Sequence, residues 1–412
     1  MKKFAIILFL VLGAAIYAAP KLHFTAGTNK EPLAYKCGEE IVFSLQITDG
    51  KTVQNNIPFR WELFVEGGKS SSGKAVSSAD KPLQIKTKLD KPGFAYVFAY
   101  AVDEKGKARK DVLQLSASAG AEVEKITQSI PEPKDFDAYW KKQLERLKAV
   151  PMAVKLTPVK SEYKNVNCYY FEIAAPGENP ATGYLSIPKN AKPGKHKAYV
   201  FFYGYGFSSI AKQDKSASYG NIVLSVSRYG IPQGLDKDYY KKAGETTLKK
   251  FGFRNNAKAD ECDFNYMILR DLRAVEYLKS RPEWNRRDLT VNGGSMGAFQ
   301  SINVAALDKD VTVVQARIPW CANLGGVKFG RFRGWRPDHV PALDYFDIVN
   351  QAKRLKAKAE IFIGLGDRAC PASGQFAMYN VMTCPKVLTY QQTGGHRTAS
   401  PEYKNIRYIP AK

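Results

Sequence analysis

Residues 289–298 read Leu-Thr-Val-Asn-Gly-Gly-Ser-Met-Gly-Ala and contain the pattern Gly293-x-Ser295-x-Gly297. An apolar strand precedes the serine and a helical pattern follows it, which is the setting of a nucleophile elbow. The turn from strand to helix is so tight that small residues must flank the serine, and it lifts the hydroxyl to the top of the sheet. The helix directs its positive N-terminus at the same point. The alternative interpretation is a glycine-rich turn with a surface serine.

Strands and helices alternate on both sides of this stretch, from Val154 onward. We predict strands at 168–173, 183–187, 198–203, 222–226, 289–291, 311–316, 361–365 and 386–390. We predict helices at 259–280, 297–307, 348–357 and 372–379. Such alternation indicates an α/β fold, a mostly parallel sheet with helices on both faces. Ligands of such sheets bind at the carboxyl ends of the strands, so we expect the chemistry there.

A nucleophilic serine needs a base that takes its proton and a carboxylate that orients the base. In this architecture the chain order is serine, acid, histidine, with both partners after later strands. Of the four histidines, His396 fits best, because it follows the last predicted strand in a Thr-Gly-Gly-His loop. His23 lies in the N-terminal region, and His196 begins a strand at the opposite edge of the sheet. His339 lies in a long excursion, residues 323–344.

Asp367 is the predicted acid, because it comes just after the strand at 361–365. An N-cap for the helix after Pro371 is the alternative role of this carboxylate. Ser295, Asp367 and His396 together form the predicted catalytic triad.

The predicted oxyanion hole consists of two backbone N–H groups, which the tetrahedral intermediate of acyl transfer requires. One is the N–H of Met296, the residue after the serine. The other is the N–H of Tyr205, in a Gly-Tyr-Gly segment after the strand at 198–203. Residues 229–254, rich in Lys, Tyr and Gly, either shape the substrate cleft or form a solvated connection.

The N-terminal region, residues 20–125, has a different period. Strand-length runs lie at 41–47, 59–65, 84–89, 95–102 and 112–117. Polar or glycine-rich turns, such as residues 67–73, separate them. Regular short strands favour a β-sandwich of the immunoglobulin-like type, followed by a catalytic domain over residues 126–412. The sandwich is either an accessory carbohydrate-binding or packing module or a structural spacer.

The composition is that of a globular protein, since 44% of the 412 residues are hydrophobic and 25% are charged. The N-terminus is typical of a signal peptide, because Lys2 and Lys3 precede an apolar run over residues 4–16. We expect residues 1–18 to be removed after Ala18, leaving an exported protein with no membrane span. The alternative is an uncleaved anchor.

The charge is strongly positive, with 62 Lys+Arg against 39 Asp+Glu and a formal net charge of +23. Such a field favours anionic partners. No nucleic-acid recognition motif appears, and an exported chain rarely meets nucleic acid. An acidic polysaccharide or an anionic envelope surface is therefore the favoured partner. Solubility charge on a large surface is the alternative.

The six cysteines are too few for a disulfide scaffold in a chain of 412 residues. Export would permit one or two disulfides, whose pairing cannot be read from spacing. No group of cysteines and histidines has the spacing of a zinc site, so we expect no metal.

From about residue 130 to 412 the sequence resembles the acetyl xylan esterase and cephalosporin-C deacetylase family of α/β-hydrolases, carbohydrate esterase family seven. The resemblance rests on DFDAYW at 135–140, YGYG at 203–206, GGSMG at 293–297, GLGDRACP at 364–371 and GH at 395–396. It implies that the protein removes O-acetyl groups from sugars through a covalent acyl-serine, without a cofactor. The implied substrate is an acetylated oligo- or polysaccharide.

Three positions depart from the family's pattern. Met296 stands where the family usually has Gln, but the oxyanion donor there is a backbone group, so the chemistry should be intact. Ser-Arg-Tyr-Gly at 227–230 replaces an Arg-Gly-Gln signature, and Arg397 follows the histidine in place of Glu.

Two rival functions remain open at this point. One is a serine peptidase of the same fold, although such peptidases typically carry a large N-terminal propeller that about a hundred residues cannot build. The other is a polysaccharide-binding protein with a degenerate hydrolase fold, against which the three filled triad positions argue.

Overall fold

The computed structural model describes residues 22–396 and 404–409. The predicted signal peptide, residues 1–18, lies outside the described residues and stays a prediction. Within the described ranges, no helix is both long and apolar enough to cross a membrane.

The N-terminal part is a sandwich of two four-stranded sheets. Its strands are β1 (Leu22–Thr28), β2 (Glu40–Thr48), β3 (Pro58–Val65), β4 (Ser71–Val76), β5 (Leu83–Lys88), β6 (Gly93–Ala101), β7 (Val112–Leu113) and β8 (Leu115–Ala121). The sheet orders are β5-β2-β1-β7 and β4-β3-β6-β8. All pairings are antiparallel except that of β1 with β7. The inner faces pack together around side chains such as Phe43, Phe59 and Val97, which confirms a small β-domain ahead of the α/β fold.

Three features of this sandwich differ from the prediction, the first being strand β1, at which no strand was predicted. The predicted turn at 67–73 is wrong beyond residue 70, because β4 begins at Ser71 and pairs with β3. The strand SSGKAV lacks an apolar face because it is an edge strand, with its side chains exposed or half-buried. Its Gly73 lies under the Trp61 ring, which would meet an added Cβ at 2.7 Å. The single strand predicted at 112–117 is divided between β7 and β8.

The remaining strands of the described chain form one ten-stranded sheet. They are β9 (Val154–Val159), β10 (Val166–Ile173), β11 (Ala181–Pro188), β12 (His196–Phe202), β13 (Ile222–Val226), β14 (Trp284–Gly294), β15 (Val313–Arg317), β16 (Lys358–Gly364), β17 (Lys386–Gln391) and β18 (Ile406–Arg407). The order is β18-β17-β16-β15-β14-β12-β13-β11-β10-β9. The pairings from β13 through β17 are parallel, and the two flanks are antiparallel.

Helices cover both faces of this sheet. They are α1 (Phe136–Lys148), α2 (Asp214–Ser218), α3 (Lys237–Glu245), α4 (Asp263–Ser280), α5 (Met296–Leu307), α6 (Ile348–Ala352) and α7 (Ala372–Val381). The side chains of strand β13 contact helices on opposite faces of the sheet. Leu224 and Val226 pack in the large core that includes α4, whereas Val223 packs against Ala217 of α2. Helix α6 is shorter than the predicted 348–357. The α/β fold is confirmed.

Strand β6 joins the sandwich to the α/β sheet. Its residues 93–99 are all buried, because the two faces of the strand serve two cores. Ala95 and Val97 point into the sandwich, whereas Phe94 and Tyr96 join the core of the α/β region. The division of the chain at residue 125 stays a prediction, because the packing is continuous across it.

Candidate active site

Ser295 lies in the turn that connects β14 with α5. Its backbone is at φ 57° and ψ −119°, a positive-φ conformation that few non-glycine residues adopt. Such a conformation costs roughly 1–3 kcal/mol and persists only where the surroundings enforce it. The Ser295 N–H donates to the carbonyl of Arg317 on the neighbouring strand at 2.9 Å, and its own carbonyl accepts from Phe299 at 3.0 Å. The strained turn therefore holds the hydroxyl at the carboxyl edge of the sheet.

Two of the three glycines around the serine are sterically required. A Cβ on Gly293 would collide with the backbone of Gly297, and a Cβ on Gly297 would collide with the carbonyl of Phe202. By contrast, a Cβ on Gly294 would meet its nearest neighbour only at 3.9 Å. The strand, the helix and the adjacent strand β12 thus converge on the serine without room for side chains.

Asp367 and His396 form a hydrogen-bonded pair at the same edge. The His396 Nδ1 lies 2.8 Å from Oδ2 and 3.1 Å from Oδ1 of Asp367, whose side chain is fully buried. The other lone pairs of Oδ1 accept from the backbone N–H groups of Ala369 at 2.7 Å and Cys370 at 2.9 Å. A carboxylate held in this way orients the imidazole ring, and it does not cap a helix, because Pro371 is the N-cap residue of α7.

The Cys370 thiol lies close to both the serine and this pair, and no motif in the sequence indicates it. Its Sγ is 4.0 Å from Ser295 Oγ. Its Sγ, an oxygen of Asp367 and a ring nitrogen of His396 all lie within 4.8 Å of one another. Among the described residues, no hydrogen bond joins Ser295 Oγ to the His396 ring in this structure. Burial raises the pKa of the Cys370 thiol well above its usual value, so the thiol stays protonated and is a weak nucleophile.

The segment 203–206 passes directly over the serine. A Cβ on Gly204 would lie 3.7 Å from that of Ser295. The Tyr203 carbonyl accepts from Gln300 at 3.1 Å, and the Gly206 carbonyl accepts from the guanidinium of Arg228. These bonds fix the segment from both ends, on either side of Tyr205.

Two N–H groups at this point are available to a ligand. In the described part of the chain, the Tyr205 N–H donates to no protein acceptor. The Met296 N–H belongs to the first turn of α5, where backbone donors lack intrahelical partners. Their positions suit the predicted oxyanion hole, which stays a prediction.

An aromatic wall borders the segment 203–206. Tyr205 packs against Phe207, Tyr229 and Trp335, with ring centroids 5.2, 6.4 and 4.8 Å away. Phe251 packs against Tyr229 at 4.7 Å. Residues 229 and 251, near the ends of the excursion whose role was open, therefore contribute to this wall.

The other histidines have partners elsewhere. His339 Nε2 pairs with Asp344 at 2.8 Å, and His196 Nδ1 pairs with the Gly220 carbonyl at 2.7 Å at the start of β12. His23 is buried in β1 of the sandwich. All six cysteines are free thiols, so the disulfides considered above do not form in this structure.

The parallel central strands, the covering helices and the serine elbow define an α/β-hydrolase. A sequence profile described as acetyl xylan esterase (AXE1) matches residues 115–329 and 328–409, which is well over half of the chain. The chain belongs to the acetyl xylan esterase family, as the resemblance indicated, and is a carboxylic-ester hydrolase of the serine class. The profile begins within β8, so strands β1 to β7 lie outside it.

Individual proteins agree with this assignment. The chain is 27% identical to the acetyl esterase Axe7A of Xylanibacter ruminicola over 429 aligned positions, covering 97% of this chain and 94% of that protein. The structure is similar to acetyl xylan esterase 1 from a Thermoanaerobacterium species, with a TM-score of 0.58 and 24% identity over 68% of this chain and 94% of the other. An acetyl xylan esterase from a Paenibacillus species gives a TM-score of 0.56 and 22% identity, with the same two coverages. The two structures support the fold.

Proposed function

We propose that the protein is an exported esterase that removes O-acetyl groups from a carbohydrate through an acyl-serine intermediate. The observation that carries the proposal is the convergence, at one edge of the sheet, of a strained serine with an Asp–His pair whose carboxylate is buried. Family membership supports the reaction class. The names of the relatives, an acetyl esterase and two acetyl xylan esterases, support an acetylated sugar as substrate.

Acylation begins when the Ser295 oxygen attacks the acetyl carbonyl. His396 takes the serine proton on Nε2, and Asp367 stabilises the resulting imidazolium through Nδ1. Ser295 Oγ and the His396 ring are not hydrogen-bonded in this structure, and such hydrogen bonds often form or tighten only when substrate binds. The N–H groups of Met296 and Tyr205 stabilise the oxyanion.

The sugar hydroxyl then leaves as the C–O bond breaks, taking the proton back from His396. A water molecule, deprotonated by the same ring, attacks the acyl carbonyl and releases acetate with the serine restored. The reaction balances without a redox or metal step, in agreement with the cofactor-free chemistry expected from the family. Export rests on the predicted signal peptide, residues 1–18.

The test uses the chain without its first 18 residues. Acetate release from a small aryl acetate and from acetylated xylo-oligosaccharide should be lost in Ser295→Ala and retained in Ser218→Ala, a half-buried serine on α2. Equal rates for wild type and Ser295→Ala would refute the serine mechanism. Cleavage of an aryl amide faster than the matching ester would favour a peptidase.

A further inference from the structure

The excursion between β15 and α6, which includes residues 323–344, is held by a buried carboxylate of the sandwich. The Glu66 side chain, just after β3, is only 1% exposed. Its oxygens accept from Arg331 Nη1 at 3.0 Å, the Phe332 N–H at 2.9 Å and Ser373 Oγ at 2.5 Å. A fourth donor is the Phe94 N–H at 3.1 Å. Three of the four donors therefore belong to the hydrolase part of the chain.

Aromatic packing reinforces this attachment. The Phe332 ring lies 4.9 Å from Tyr96, 5.7 Å from Phe98 and 5.0 Å from Phe64, measured between centroids. These three residues lie on the sandwich strands β3 and β6. The excursion at 331–332 is thus seated on the sandwich by both charge and packing.

Three residues further on, the excursion delivers Trp335 to the aromatic wall. Gly334 turns the chain at φ 65°. The Trp335 N–H donates to the Ala369 carbonyl at 2.9 Å, and its carbonyl accepts from Trp320 Nε1 at 2.5 Å. Ala369 precedes Cys370, whose thiol lies 4.0 Å from the Ser295 hydroxyl. The Trp335 backbone is therefore hydrogen-bonded to the loop that carries Asp367.

The Trp335 ring is partly exposed next to the segment 203–206. One face stacks on Trp320 with centroids 5.6 Å apart and planes at 26°. An edge-to-face contact at 4.8 Å joins it to Tyr205 of the oxyanion segment. The residue is nonetheless 41% exposed. The Phe253 ring also packs against it at 4.9 Å with planes at 53°. An indole that three rings hold in place and that still exposes part of its surface suits the C–H face of a sugar ring.

We propose that Trp335 is the stacking residue for the sugar that carries the acetyl group, and that Glu66 of the sandwich is the residue that positions it. This inference rests on the proposed function and gives the sandwich a defined part in substrate binding. Trp335 contacts substrate directly, whereas Glu66 acts only through the excursion.

The test compares two substrates with one acyl group, acetylated xylo-oligosaccharide and ethyl acetate, which has no ring to stack. Glu66→Gln places an amide N–H₂ against donors that need an acceptor, so the excursion should shift. We expect KM for the oligosaccharide to rise about fivefold to tenfold, the size of an aromatic contact. The kcat/KM for ethyl acetate should stay within about twofold. The matched control is Glu40→Gln, whose exposed partner Lys86 lies in the same sandwich.

A double-mutant cycle separates positioning from general stability. Trp335→Ala should raise KM for the oligosaccharide at least as much, Trp335→Phe should recover most of the loss, and Glu66→Gln with Trp335→Ala should be no worse than Trp335→Ala alone. Arg331→Met removes the link from the other side if Glu66→Gln does not fold. Additive effects, or equal losses on both substrates, would overturn the positioning role. An unchanged KM in Trp335→Ala would overturn the stacking role, whereas an inactive wild type would instead refute the proposed function.

Discussion

Asp367→Asn tests the orientation of the catalytic base. The Oδ1 atom accepts two backbone N–H bonds, from Ala369 and Cys370, so the amide oxygen of an asparagine must occupy that position. The amide nitrogen then faces His396 Nδ1, at the place of the 2.8 Å contact. It donates to Nδ1 and leaves the ring proton on Nε2, which is the nitrogen that must accept the serine proton. The substitution thus preserves the shape of the site and reverses the ring's tautomer.

The expected loss is large. A base in the wrong tautomer lowers kcat by about 10⁴ in the chymotrypsin-type triad, roughly 5.5 kcal/mol of transition-state stabilisation. The measurement is kcat for a small aryl acetate at pH 7.5, together with the thermal midpoint and circular dichroism of the variant. Asp338→Asn, an exposed aspartate paired with Arg333, is the control for the chemical change alone. A loss of less than tenfold in a folded Asp367→Asn variant would show that this carboxylate does not orient the base.

Three further perturbations test the site and the core. Gly297→Ala should destabilise the protein by about 1–3 kcal/mol and abolish acetate release, because the added Cβ collides with backbone. Gly294→Ala should do neither, because its Cβ has room. Equal thermal midpoints for the two variants would contradict the packing argument. Cys370→Ala should keep activity within about threefold of wild type. Iodoacetamide should not inactivate the native enzyme, because the buried Cys370 thiol stays protonated. Rapid inactivation would show that the thiol is accessible and reactive. Burial raises the pKa of Asp271 well above its usual value, although Arg270 opposes the shift, so the folded state holds a proton that the unfolded state releases above about pH 4. Stability should therefore fall as the pH rises above the unfolded-state pKa of about 4. In urea unfolding over a pH series that starts there, Asp271→Asn should gain on wild type by up to about 1.4 kcal/mol per pH unit. Parallel profiles would contradict the shift.

The residues that carry local patterns were predictable from the sequence. The elbow around Ser295 needs small neighbours within five consecutive positions, and Asp367 follows an apolar strand directly. His396 could be chosen over His196 because the direction of a parallel strand decides which edge a residue occupies. These inferences use short stretches of chain and the handedness of one architecture.

Contacts between distant segments were not predictable in the same way. Nothing near Cys370 in the sequence indicates that its thiol touches Ser295, because that contact depends on how β16 and β14 are spaced in the sheet. Strand β4 was missed because an edge strand needs no apolar face. The role of Glu66 in holding the excursion could not be predicted either, because its hydrogen-bond donors at 331, 332 and 373 are more than 250 positions away along the chain.

Strand β6 has a consequence for the cooperativity of the whole molecule. Its aromatic side chains pack in the core of the hydrolase part, and its small side chains pack in the core of the sandwich. If either part unfolded, apolar surface of the other part would therefore be exposed to water. Heating should therefore produce one calorimetric transition in place of two, with the hydrolase and the sandwich losing structure together. A fragment cut near residue 125 would leave Phe332 and Phe376 facing water, so shortening this enzyme to the size of its smaller relatives would require redesigning the surface uncovered by the cut.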